Sequence, residues 1–155
     1  IAENDLSRTS KPIDRWGGQV CPTYPCGEVT LTVPPMAVDE GRNIGLTVAV
    51  TAGQPAAGVA VPVQGSIALR VSSIVAFEPH NTSFSRPAFI AMVYDEAAAE
   101  DPNFQLAFFR KPDPLSVGWR RQAEGTFESG VAILPSDHLS LYFVGIVPKD
   151  APFVP

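Results

Sequence analysis

Residues 74–94, IVAFEPHNTSFSRPAFIAMVY, decide the fold. Ser73, Val75 and Phe77, and then Ala88, Ile90, Met92 and Tyr94, alternate with period two, the spacing that turns successive side chains to one face of a sheet. Between the two runs stands a polar turn, Pro79-His80-Asn81-Thr82-Ser83. Phe84 follows it, too large and apolar to face water, so it is expected to tuck under the sheet. Pro87 is expected at the first position of the second strand, where no ladder donor is needed. Strand, turn, plug and strand make a scaffold and contain no catalytic grouping.

The same pattern recurs on either side. Val29, Leu31 and Val33 alternate with polar residues, and so do Ile44, Leu46, Val48 and Val50. Phe104, Leu106 and Phe108 are expected on one face of a further strand, followed by a turn at Arg110-Lys111-Pro112-Asp113-Pro114. Trp119 is expected to open the next strand, Phe127 to Ile133 to alternate again, and residues 139–147 to form the last. The 16 prolines, scattered from Pro12 to Pro155, leave few windows for a long helix, since each interior proline costs about 3 kcal/mol there. The sequence therefore predicts an all-β chain, an antiparallel β-sandwich of about eight or nine strands with at most one or two short helical turns. Residues 51–62 are expected to be a loop, and residues 95–101 about one helical turn.

At 155 residues, 45% hydrophobic and 17% charged, the chain has the make-up of one packed domain. Residues 1–16 are expected to be a polar arm anchored by Trp16, residues 17–147 the domain, and residues 148–155 a proline-rich linker. The net charge of −5 and the lack of a Lys/Arg stripe argue against nucleic acid and anionic membrane surfaces as partners. No apolar run approaches the ~20 residues of a membrane span. Beginning at Ile1 without a leader and ending in APFVP, the chain is expected to be a segment of a larger protein.

Small-residue turn, Val33-Pro34-Pro35-Met36-Ala37-Val38, Glu40-Gly41, apolar strand and then Phe77 through Ala88 is an order that resembles the ZU5 domain. The resemblance spans about residues 17–147. It implies a ZU5-like β-sandwich, akin to the distal half of the GAIN domain, found in cytoskeletal adaptors, netrin-type receptors and death-domain scaffolds. It also draws attention to His138-Leu139-Ser140, because GAIN domains carry H-L-[ST] and some ZU5 domains H-F-S before the last strand. In those families the chain cuts itself, which here would fall between Leu139 and Ser140. His138 would take the proton of the Ser140 hydroxyl, which attacks the Leu139 carbonyl to give an ester that water hydrolyses. The other reading is structural, with His138 in a strand-entry turn and Ser140 alternating outwards. The cysteines and tryptophan that flank the triplet in GAIN domains are missing here.

Other chemistry-bearing residues point to location more than to activity. Cys21 and Cys26 bracket Pro-Thr-Tyr-Pro, a loop that a disulfide can close. Asn81-Thr82-Ser83 is an N-glycosylation sequon in the polar turn. Together they favour an extracellular or cell-surface setting. No metal or cofactor is expected. His80 has no partner at ligand spacing, and the carboxylates of residues 95–101 lack the calcium-loop pattern. A Ser-His-Asp hydrolase is disfavoured because G-x-S-x-G is absent and neighbours Asp137 and His138 are expected on opposite faces of a strand. The expected function is a non-catalytic interaction module for adhesion or assembly, with other protein modules of the same or a neighbouring chain as partners. The alternatives are the self-cleaving domain and an intracellular cytoskeletal adaptor.

Overall fold

The computed structural model describes residues 7–22, 27–53, 58–80, 82–113, 115 and 118–151. Among these, thirteen strands in two antiparallel sheets form a β-sandwich. One sheet runs β1 (Ser7–Ile13), β4 (Ile44–Ala52), β7 (Ile74–Glu78), β13 (Leu141–Pro148), β6 (Ser66–Arg70) and β5 (Val59–Val63). β9 (Phe104–Lys111) joins it along the length of β13, and β10 (Arg120–Arg121) pairs with β9. The second sheet runs β11 (Thr126–Glu128), β12 (Val131–His138), β8 (Ser83–Val93), β3 (Val29–Val33) and β2 (Gly18–Val20).

The alternating residues meet between the sheets. Leu46, Val48, Val75, Phe77, Phe108, Tyr142 and Val144 pack from one side against Leu31, Ile90, Met92 and Ala132 from the other, all essentially without exposure. β13, LYFVGIV, is buried on both faces, which is why its sequence is a continuous apolar run. Its outward side chains Leu141 and Phe143 lie on the outer face of the larger sheet with Ala49, Ala76 and Phe109. There Trp119 covers them, its ring edge-on to Phe143 at 4.8 Å.

Several expectations change. β7 and β8 are central strands, as their patterns require, but they lie in different sheets, so the chain changes layers between Glu78 and Ser83 and the two strands are not arms of one hairpin. Phe84 is buried, yet within β8 and not in the connection. Pro87 is mid-strand. The register jumps from Ala88 opposite Ser136 to Ser83 opposite His138, so Pro87 sits in a bulge that demands no ladder donor.

Residues 7–13, expected within an arm, are the edge strand β1, paired with β4 from Ser7 opposite Val50 to Ile13 opposite Ile44. Lys11 and Pro12 in that strand protect a free edge, the role behind their polar look in sequence. Trp16 is no anchor: it is 66% exposed with the Arg15 guanidinium 4.7 Å from its ring centre. The loop expected over residues 51–62 contains the end of β4 and most of β5. Arg110 and Lys111, expected in a turn, still belong to β9. Residues 97–99 do form one short 3-10 turn, with the Ala98 N–H donating to Asp95 Oδ1 at 3.2 Å.

Candidate functional site

His138-Leu139-Ser140 lies where the chain leaves β12 in one sheet and enters β13 in the other. Leu139 makes the crossing possible: its side chain is fully buried in the core, and its N–H donates to the Thr82 carbonyl at 3.1 Å. That bond ties this crossing to Thr82, just before β8, where the chain has entered the second sheet. Ser140 continues inward. Its carbonyl accepts from the Phe77 N–H at 2.9 Å, and its hydroxyl accepts from Arg110 Nε at 2.9 Å. The expectation that Ser140 alternates outwards is wrong, because the strand it enters is buried on both faces.

The histidine goes the other way. His138 is about half exposed, and its Nδ1 lies 2.7 Å from Asp137 Oδ1. Their expected separation onto opposite faces fails for a local reason: Asp137 is skipped in the pairing with β8, and the irregularity turns both side chains to solvent. The imidazole and the Ser140 hydroxyl thus have different partners, a carboxylate and a guanidinium. The hydroxyl donors gather one residue earlier than the cleavage chemistry requires. Ser136 Oγ donates to the His138 carbonyl at 2.6 Å, and Tyr142 Oη lies 3.0 Å from Ser136 Oγ and 3.3 Å from the same carbonyl. Burial raises the Tyr142 phenol above its usual range, partly offset by Ser136 and the nearby Arg110 cation.

A cleft of about 480 Å³ opens beside these groups, between the C-terminal half of β12 and the segment at Gln122–Glu124 that crosses from β10 to β11. Arg110, Glu124, Ser136, Asp137, His138 and Tyr142 line it. Arg110, Tyr142 and Ser136 had escaped sequence reasoning. Arg110 follows two phenylalanines at a point where proline foretold a turn, and Tyr142 reads as core.

The remaining expected sites are dispersed. Asn81 and Cys26 lie outside the described residues; Cys21 is described and is not a free thiol. His80 is far from any ligand set: Nε2 is 3.7 Å from Glu78, and its buried Nδ1 has no partner. Among the described residues no three His, Cys, Asp or Glu side chains gather as a metal would require, the acidic segment at 95–101 included. No helix among them is long and apolar enough to cross a membrane.

No curated protein matches the chain. The model of the ZU5 domain, however, matches residues 9–111, which is 103 of the 155 residues. The match starts within β1, so the edge strand expected as an arm is part of the family's domain. Two stacked antiparallel sheets and a match over two thirds of its length make this chain a member of the ZU5 family of protein-interaction modules.

Proposed function

We propose that the chain works as a non-catalytic interaction module, for adhesion or assembly, within a larger glycosylated protein at the cell surface or in an extracellular filament. The observation that carries the non-catalytic part is the fate of the Ser140 hydroxyl. It is buried and bonded to Arg110 Nε, while the His138 imidazole is engaged by Asp137. Acyl transfer needs a base within hydrogen-bond reach of its nucleophile, and that pairing is supplied to neither group. The extracellular part is supported by the Asn81 sequon and by the Cys21/Cys26 pair.

The test is secretion of the 155-residue chain from a eukaryotic host, followed by intact mass, a denaturing gel and peptide mapping. One band is expected, carrying glycan on Asn81 and a Cys21–Cys26 linked peptide. A fragment ending at Leu139 would identify the self-cleaving domain instead. Bare Asn81 with both thiols reduced would point to the intracellular adaptor.

A further inference from the structure

The β11–β12 hairpin leaves half of a strand edge uncovered. Its two turn residues, Ser129 (φ 51°) and Gly130 (φ 81°), both adopt the left-handed region, the geometry that joins Glu128 and Val131 through paired main-chain hydrogen bonds. Polar groups of every second residue therefore face β11: Val131, Ile133 and then Pro135. Pro135 suits that position, because a proline turned towards β8 would break the ladder there. β11 reaches only as far as Thr126 opposite Ile133. Beyond it, the Pro135 carbonyl and the main chain of Asp137, which has no partner on β8, border the 480 Å³ cleft.

The facing wall holds Arg110. Its Nε donates to the buried Ser140 hydroxyl, its guanidinium also lies against the Tyr142 phenol, and among the described residues Arg110 has no carboxylate partner. A guanidinium held in place by two hydroxyls and lacking an acid partner is prepared to take a carboxylate on its remaining N–H groups. Of the two acids lining the cleft, Asp137 is occupied by His138. Glu124 is left to disfavour a ligand with several negative charges. The volume falls within the usual range for ligand pockets, about 300–1,000 Å³, and strands add at about 4.8 Å spacing.

We propose that this cleft accepts an extended peptide segment bearing one carboxylate, its main chain added beside the open half of β12 and its acid held by the Arg110 guanidinium. This rests on the interaction-module reading and names the kind of segment the module takes.

The test uses two pools of N-acetylated, C-amidated hexapeptides, randomised except for a central Asp or a central Asn, titrated at millimolar concentration into the ¹⁵N-labelled 155-residue chain. Saturable amide shifts at Ala123, Glu124 and Asp137 are expected with the Asp pool, and about tenfold weaker binding with the Asn pool. Arg110→Gln should make the pools equal. Arg110→Lys, which keeps the charge and loses the guanidinium, should retain only part of the preference, and an unchanged shift pattern far from the cleft shows that both variants are folded. Equal binding of the pools to wild type, an unaltered preference in Arg110→Gln, or no shift with either pool overturns the proposal. Shifts reproduced in full by sodium acetate alone overturn the strand-addition half. A chain that proves uncut, glycosylated and blind to both pools refutes the cleft while leaving the module reading intact.

Discussion

Replacing Gly125 by alanine isolates the corner on which the candidate site depends. Gly125 turns the chain from the inter-sheet crossing into β11, at φ +127°, a conformation that residues with a side chain rarely enter. A Cβ there would stand 2.8 Å from Phe108 Cδ2 and 3.2 Å from Cε2. The ring has nowhere to go: Phe108 is fully buried and lies 5.5 Å from the Phe127 ring centre. Backbone strain costs about 1–3 kcal/mol and overpacking about 1–3 kcal/mol, so Gly125→Ala should destabilise the domain by about 2–6 kcal/mol. With a urea m-value of about 2 kcal/mol/M, the midpoint should fall by about 1–3 M, read from tryptophan fluorescence. The two parts separate in a double mutant. Phe108→Leu should itself destabilise, but it vacates the space the new methyl needs, so the pair should cost less than the sum by about 1 kcal/mol or more. Strict additivity would mean that the clash is not felt. A midpoint within about 0.2 M of wild type for Gly125→Ala alone would refute the corner as described.

Tyr142→Phe should cost only about 1 kcal/mol in urea unfolding, because Ser136 and the His138 carbonyl keep each other as partners after the hydroxyl is lost. The phenol's folded-state pKa is raised, so its contribution is fully present below the unfolded value near 10 and is lost as pH climbs past it; stability followed from pH 8 to 11 should fall less in Tyr142→Phe than in wild type. Arg70→Met should destabilise by about 1–3 kcal/mol in thermal or urea melts, since the buried guanidinium alone joins the Gly53 and Ser72 carbonyls, at 2.7 and 2.6 Å. Trp119→Ala should cost about 3 kcal/mol by uncovering Phe143 and Phe109 on the outer face, and should raise binding of a hydrophobic dye; an unchanged melt would show that the indole is not part of the fold.

Period-two patterning was legible wherever a strand has one wet face. Val29-Leu31-Val33 and Leu46-Val48-Val50 show it, and each of those side chains is in the core. What the pattern does not carry is sheet membership. Val75-Phe77 and Ala88-Ile90-Met92 look like the arms of one hairpin because both bury alternate residues, and a core between two layers satisfies either arrangement equally. Edges were misread for the opposite reason. β1 is polar along most of its length because an edge strand needs charge and proline to stay unpaired, so SRTSKPI resembles a linker until its partner β4 is seen.

At the site, sequence delivered the position and missed the chemistry. The triplet does precede the last strand, but strand parity was the wrong guide to its side chains. An irregularity at Asp137 brings two neighbours to one face, and the double burial of β13 turns Ser140 inward. Those two departures set the partners of the triplet, Asp137 for the imidazole and Arg110 for the Ser140 hydroxyl. Ser140 in the core accepts from Arg110 Nε with one of its two lone pairs and so orients the guanidinium. The consequence reaches the cleft: the hydroxyl that holds the guanidinium is the one that a cleavage mechanism would carry as an ester until water restores it. A chain cut before Ser140 would free that residue as a new amino terminus beside Arg110, placing a second cation next to the guanidinium. Ester formation at Ser140 and recognition of a carboxylate through a Ser140-held Arg110 would therefore draw on the same oxygen, which here is bonded to Arg110 Nε at 2.9 Å.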